Sequence, residues 1–299
     1  MKLMLCLLTS GNISRLNRLV DNTANELIDN GFFELFPIIV VNTLSDIYYQ
    51  EVLAQKFPYP VVRTQSNGYP GKGKNSCFDL FLSSDCDYLT QFDGDDILYP
   101  TYLLSLEKHL KHYGNIDVLG LIPVDVLDTK QPAGHGFPVA EGVYGGVWGT
   151  SQCSTRDFSG PGRNDALWDS ELPMSIDFII LQSRKCAKVK MDEILKVGED
   201  HLYSLQLLGL HQKGELLYCQ SMSSDLFVVD RTTENSVQKQ FPQRPEVKRL
   251  KELARTVVKE NRSSFNELPM IYKPLLLDQY QKEAWIIKFY ATTAGLYNI

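Results

Sequence analysis

The chain has 299 residues, 43% of them hydrophobic and 22% charged, which is the balance of an ordinary globular protein long enough for one large domain or two. A net charge of −6 at pH 7 excludes a generally basic nucleic-acid-binding surface, and no stretch approaches the apolar length of a membrane span. The cysteines, Cys6, Cys77, Cys86, Cys153, Cys186 and Cys219, fall mostly in apolar runs, with no CxxC pair and no His at zinc-ligand spacing. They read as buried free thiols in a reducing compartment. The apolar start, residues 1–8, is too short for a signal peptide, so the expected setting is cytoplasmic.

Residues 3–9 are continuously apolar, as strands buried on both faces are, and predict a first β-strand. A polar turn, TSGN, leads to Ser14, placed to cap a helix running to about residue 29. In that helix Leu16, Leu19, Val20, Thr23 and Leu27 recur at helical spacing, and Asn30 and Gly31 stop it. Residues 37–42, PIIVVN, predict a second buried strand, 48–56 a short helix and 59–64 a third strand. This alternation predicts a mostly parallel sheet wrapped by helices through right-handed crossovers.

Residues 67–75, NGYPGKGKN, read as a Gly-rich loop feeding a helix over 77–82. The loop is neither a Walker A motif nor GxGxxG, yet it sets Lys72 and Lys74 at a helix N-terminus suited to a diphosphate. Solvated loop lysines are the plain alternative.

Residues 88–100, YLTQFDGDDILYP, concentrate the chemistry. A short strand, 88–92, runs into Asp93, Gly94, Asp95 and Asp96, and Pro100 opens a helix to residue 111 with Leu103, Leu106 and Leu110 on one face. Carboxylates crowded on a Gly turn suit a hard cation, Mg²⁺ or Mn²⁺, and ligands of open α/β sheets bind at the C-terminal ends of strands. The alternative is a solvated turn, for which Asp and Gly are also the preferred residues.

Residues 116–126 predict one strand, or two broken at Pro123. Residues 129–169 are rich in Gly, Pro and aromatics with little periodicity, and read as an irregular substrate-binding segment around His135, Trp148 and Trp168. A strand over 174–182 and a short basic turn or helix over 183–190 precede KVGEDHLYSLQLLGL, residues 196–210. There Glu199 and Asp200 open a helix whose Leu202, Leu205 and Leu208 share a face. Two acids in a first turn complement the helix dipole, and they equally offer a carboxylate held rigidly at a cleft. Short strands over 215–219 and 226–230 lead to a polar loop in which Arg231 suits a phosphate or a surface pairing with Asp230 or Glu234. Residues 245–261 and 275–290 are helical in pattern and expected to pack on the sheet or on a second subunit, a homodimer; a peripheral membrane contact is the alternative.

In their order along the chain, these motifs resemble a nucleotide-sugar-dependent glycosyltransferase of the GT-A fold, similar to the inverting family 2, over about residues 3–236. The resemblance is carried by TSGNISRLNRL, VVNTLSD, NGYPGKGKNSC, FDGDDILYP, VGEDHLYSLQL and DRTTENS. It implies a GT-A domain over 1–240, with a nucleotide-binding half, 1–128, and an acceptor-side half, 129–240, followed by a C-terminal helical extension, 241–299. It further implies that Thr9, Ser10, Asn42 and Asp46 contact the nucleoside, that Lys72 or Lys74 lies near the base or diphosphate, and that Arg231 meets the diphosphate. Asp93 and Asp95 would serve the ribose and a Mn²⁺ or Mg²⁺ ion. Asp200 would be the catalytic base, with Glu199 second. The implied donor is a UDP-sugar and the implied acceptor a hydroxyl of a glycan or lipid-linked molecule. The chain departs from the family where Asn42 replaces the usual acid and where 129–169 has no counterpart. Two rival readings are a sugar-phosphate nucleotidyltransferase, against which the missing Gly-rich basic loop after the first strand counts, and a non-catalytic carbohydrate-binding protein on the same fold.

Overall fold

The computed structural model describes residues 1–94, 96–121, 124–128, 136–140, 143–148, 178–196, 198–221 and 226–230, together with 252, 256, 270, 271 and 281. β1 (Lys2–Thr9) lies parallel to β2 (Glu34–Asn42) on one side and β4 (Tyr88–Asp93) on the other, and β3 (Val61–Thr64) continues the sheet beyond β2. The crossovers are α1 (Ile13–Asn25), α2 (Asp46–Ala54) and α3 (Pro70–Ser83). Beyond β4, β10 (Phe178–Ser183) runs antiparallel between β4 and β6 (Val118–Leu121). β11 (Tyr218–Ser221) and β13 (Met270–Ile271) complete an eight-stranded sheet of order β13-β11-β6-β10-β4-β1-β2-β3. A second sheet has the order β5-β12-β7-β9-β8, built from β5 (Asp96–Leu98), β7 (Val124–Asp128), β8 (Gly136–Ala140), β9 (Val143–Trp148) and β12 (Phe227–Asp230). The remaining helices are α4 (Tyr102–Tyr113), α5 (Arg184–Ala187) and α6 (Glu199–Gln212).

The unbroken apolar run of β1 follows from burial on both faces. Leu3, Leu5 and Leu7 join a core with Leu16, Leu19 and Val20 of α1, Tyr48 and Val52 of α2, and Leu103, Leu106 and Leu110 of α4. Met4, Cys6 and Leu8 join the opposite core with Cys77, Phe78 and Phe81 of α3 and Tyr203, Leu205 and Leu208 of α6. Side-chain alternation along one strand thus fixes which helices cover which face. Five cysteines, Cys6, Cys77, Cys86, Cys186 and Cys219, are buried free thiols as expected, while Cys153 lies outside the described residues. Among the described residues no helix is long and apolar enough to cross a membrane.

Several boundaries differ from the sequence reading, each for a local reason. Asn12, not Ser14, caps α1, its Oδ1 accepting from the Arg15 amide at 3.0 Å. The helix stops at Asn25 rather than near residue 29 because the chain leaves to pair with the next segment, the Ile28 amide donating to the Pro100 carbonyl at 2.9 Å. α2 starts two residues early on a Ser45 cap. The expected Gly-rich loop is mostly helix, since α3 begins at Pro70 and takes in Gly71, Lys72, Gly73 and Lys74. α4 starts at Tyr102 instead of Pro100, because residues 96–98 form β5 and pair with β12. The 116–126 segment is two strands, β6 and β7, placed in different sheets. Part of the stretch read as irregular forms the antiparallel hairpin of β8 and β9. His135 and Trp168 lie outside the described residues, while Trp148 ends β9 opposite Val124. Of the two C-terminal segments read as helical, Glu252, Thr256 and Gln281 are described and helical. The remainder, and with it the expected dimer surface, lies outside the described residues. β13 is a strand that the periodicity of this region does not announce.

Candidate active site

Thr9, Asn42 and Asp93 end β1, β2 and β4, so the parallel strands deliver their last residues to one edge of the sheet. Beside that edge opens a cleft of about 590 Å³, counting its open mouth, lined by Lys74, Gln91, Asp93, Asp96, Gln182, Asp200 and Tyr203 among others. Asp93 and Asp200 were predicted from separate motifs; the fold brings them to the same cavity.

The acidic turn is held by one of its own side chains. The Asp93 amide donates to Asp96 Oδ2 at 3.0 Å, which folds the turn back on itself. Gly94 lies so close to the end of β1 that a Cβ there would stand 3.2 Å from the Leu8 carbonyl oxygen and 3.3 Å from Thr9 Oγ1. Glycine is the residue that allows this approach. Asp95 lies outside the described residues. Among the described residues no three His, Cys, Asp or Glu side chains gather to hold a metal alone. An exposed Asp93 with a neighbouring carboxylate fits a hard divalent cation of the Mg²⁺ or Mn²⁺ kind, which uses one or two carboxylates and completes its shell with waters and substrate phosphates.

The pair opening α6 divides into two roles. Glu199 is buried and its Oε1 lies 2.9 Å from Lys74 Nζ, whereas Asp200 is exposed and lines the cleft. Burial drives the Glu199 carboxyl up to about 7; Lys74 opposes the rise and Asp200 adds to it. Burial alone would lower Lys74, but Glu199, Asp93 and Asp200 outweigh it and hold the ammonium well above its ordinary value. Lys74 therefore stays charged, a cation shared by three carboxylates.

The nucleoside-side candidates lie along the neighbouring β1–β2 edge and are not among the residues lining the cleft. Thr9 is hydrogen-bonded to the Tyr48 hydroxyl, Ser10 is exposed, and Asp46 is exposed and paired with Arg63. Asn42 Nδ2 donates to Thr64 Oγ1 at 2.9 Å and to the Gln65 carbonyl at 3.2 Å. This gives the departure at position 42 a physical basis, since an Asp there could not donate to a carbonyl. Lys72 does not line the cleft; it pairs with Glu193 at 3.1 Å. Arg231 lies outside the described residues, but its neighbour Asp230 is held by two arginines of α1, Arg15 at 3.3 Å and Arg18 at 2.8 Å. The surface pairing of Arg231 with Asp230 that the sequence allowed thus has its carboxylate already engaged.

Sequence reasoning did not single out Gln91, Gln182 or Tyr203. Gln91 Nε2 donates to the Lys74 carbonyl at 2.8 Å, and the Tyr203 hydroxyl lies 2.8 Å from Gln182 Oε1. The available signal was a glutamine near the end of each of two apolar strands, since a buried amide must find partners.

Taken together, the strand order and crossovers define an α/β fold of the GT-A type. No family model matches the chain, and no curated protein sequence matches it at significance. Among solved structures it is similar to S. aureus TarS 1-349 in complex with UDP-GlcNAc, with 14% identity and a TM-score of 0.52 over 97% of this chain and 71% of that one. TarS 1-349 in complex with UDP follows at 14% identity and a TM-score of 0.48, covering 100% of this chain and 73% of that one. At such identity the first of these likenesses establishes the fold.

Proposed function

We propose that the protein is a glycosyltransferase that moves a sugar from a nucleoside diphosphate sugar, UDP-sugars first, to a hydroxyl acceptor with inversion at the anomeric carbon. The observation that carries this reading is the shared cleft: Asp93 and Asp200, from a strand end and a helix start far apart in the chain, line one cavity at the C-terminal edge of a GT-A sheet. The complex of TarS with UDP-GlcNAc supports a UDP-sugar as first choice of donor.

In this reading Asp200 accepts the acceptor hydroxyl's proton as that oxygen attacks the anomeric carbon, and the bond from that carbon to the diphosphate oxygen breaks on the opposite side. A single displacement of this kind inverts the centre. A divalent ion held by Asp93, with Asp95 from the same turn, would offset negative charge on the departing diphosphate as a Lewis acid. Thr9, Ser10, Asn42 and Asp46 would border the nucleoside, and Arg231 is assigned to the diphosphate by the order of the motifs. Glu199 is not the base here, because its carboxylate is turned to Lys74.

The test is a panel of nucleotide sugars with Mn²⁺ or Mg²⁺, with and without chelator, reading released nucleoside diphosphate. Release that the chelator abolishes is expected. Pyrophosphate formed from a nucleoside triphosphate and a sugar phosphate would replace this reading with nucleotidyl transfer, and binding without turnover would replace it with a lectin-like role.

A further inference from the structure

Lys74 touches both acidic sites at once. Its main-chain carbonyl accepts from Gln91, two residues before Asp93, and its ammonium pairs with Glu199, one residue before Asp200. We infer that Lys74 is the positioning residue for Asp200, tethering the start of α6 to α3 and β4 so that the base faces the cleft, and that it is not a ligand of the donor phosphates. The inference rests on the glycosyltransferase reading and assigns a residue role within that site.

Three observations support the tether. The first turn of α6 has no side-chain cap, because Gly198, with φ +80°, occupies the N-cap position. The helix start is therefore held through Glu199 instead of through its own cap. Next, the segment leading into α6 is fastened to α3 at Met191 and Glu193. Asn75 Nδ2 donates to the Met191 carbonyl and to Glu193 Oε1, each at 3.0 Å, its Oδ1 accepts from the Met191 amide at 2.9 Å, and Lys72 pairs with Glu193. Lys74 to Glu199 is the final fastening before Asp200. Third, Gly73 seats α3 against the end of β1, beside the acidic strand, since a Cβ there would lie 3.3 Å from both Leu8 δ-carbons.

The surroundings argue against a phosphate-binding role. The Lys74 and Glu199 side chains are only 13% and 5% exposed. The Lys74 ammonium is committed to Glu199 at 2.9 Å and is held further by Asp93 and Asp200, so its charge is already engaged within the protein.

The experiment compares Lys74→Met, Lys74→Arg, Glu199→Gln and the double variant Lys74→Met/Glu199→Gln with the wild type. Three quantities are read: UDP affinity in Mn²⁺ by calorimetry, kcat with the best nucleotide sugar of the panel, and amide hydrogen exchange over residues 202–206. A displaced base predicts that Lys74→Met lowers kcat by about 100-fold. Its UDP Kd stays within about twofold, exchange at the start of α6 rises, and Lys74→Arg restores most of both. The double variant loses no more than the worse single one, as expected of a pair acting as a unit. A loss of UDP affinity of about tenfold or more with exchange unchanged would make Lys74 a phosphate ligand and overturn the inference. Unchanged kcat would overturn it too. If the wild type releases no diphosphate from any donor, the functional reading fails, and the exchange measurement by itself still decides whether the tether exists.

Discussion

Asp93, the last residue of β4, and Asp200, in the first turn of α6, line the same cleft although they lie far apart in the chain. β10 makes the meeting possible. It inserts antiparallel between β4 and β6, so the chain re-enters the sheet beside the acidic strand, and α5 and the segment packed on α3 then lead into α6. One carboxylate then stands at the end of a strand and the other at the start of a helix, both lining one cavity.

Replacing these two residues separates their roles. Asp200→Asn keeps the shape and removes the proton acceptor, so kcat falls by about 10²- to 10⁴-fold while UDP affinity in Mn²⁺ changes little. Asp93→Asn weakens metal-dependent UDP binding instead. Steady-state kinetics paired with calorimetry reads both, and equal effects of the two substitutions on binding and turnover would contradict the division.

Glu199 makes stability depend on pH. Its folded carboxyl, raised to about 7 by burial, lies above the ordinary value of 4.5, so the folded state holds this proton more tightly than the unfolded chain does. A group of that sign contributes stability that is complete below its unfolded value and is lost as pH rises through the folded one. Lys74 is charged throughout this window and adds no slope. Between about pH 5 and pH 8 the wild type is expected to lose on the order of 2 kcal/mol relative to Glu199→Gln in urea unfolding. A difference that stays flat, or runs the other way, rejects the raised carboxyl.

Legibility in the sequence followed the range of the interactions. β1 was plain because burial on both faces leaves an unbroken apolar run, and the acidic turn was plain because Asp93, Gly94 and Asp96 are consecutive local chemistry. α3 was misread because glycine is a poor helix former, so GKGK suggests a loop. Its glycines instead answer to Leu8 and Asp192, partners that no local pattern reveals. β5 has three residues and exists through pairing with β12 far along the chain, and the pairing of Lys74 with Glu199 is hidden for the same reason.

Gly71 offers a direct test of that close approach. A Cβ there would fall 2.1 Å from the Asp192 carbonyl oxygen, a backbone atom that cannot swing aside. Gly71→Ala should therefore push residues 191–196 off α3, cost roughly 1–3 kcal/mol or more in chemical denaturation, and lower kcat through Asp200. Wild-type stability and turnover in this variant would show that the segment is not pressed against the helix.

Asn22 anchors the other side of the acidic turn. It is 1% exposed; its Oδ1 accepts from the Leu98 amide at 2.7 Å and its Nδ2 donates to the Leu98 carbonyl at 3.0 Å, so one side chain satisfies both main-chain groups at the end of β5. Asn22→Leu leaves a buried donor and acceptor without that partner, an expected loss of about 2–4 kcal/mol. Because β5 begins at Asp96, Mn²⁺-dependent UDP binding should weaken as well. A thermal midpoint within about 1 °C of wild type would mean that the amide bridge contributes almost nothing.

The last prediction concerns the junction before Arg231. Asp230 has a fully buried side chain, paired with Arg15 and Arg18, whose side chains are 7% and 8% exposed, and its carbonyl also accepts from Arg15 Nη1 at 3.3 Å. Two guanidinium groups thus share one carboxylate, and together they fix the end of β12 to α1. Asp230→Ala takes this carboxylate from both buried cations, and removing one partner of a buried pair typically costs about 3–5 kcal/mol. Asp230→Asn keeps an acceptor and should cost less. Since Arg231 follows directly, the Asn variant is also expected to raise KM for the donor while leaving kcat near normal. Urea unfolding and donor titration check the two halves separately. An Asp230→Ala protein as stable as the wild type would show that the arginines have other sufficient partners, and a kcat effect in Asp230→Asn would place this junction nearer the chemistry than the geometry puts it.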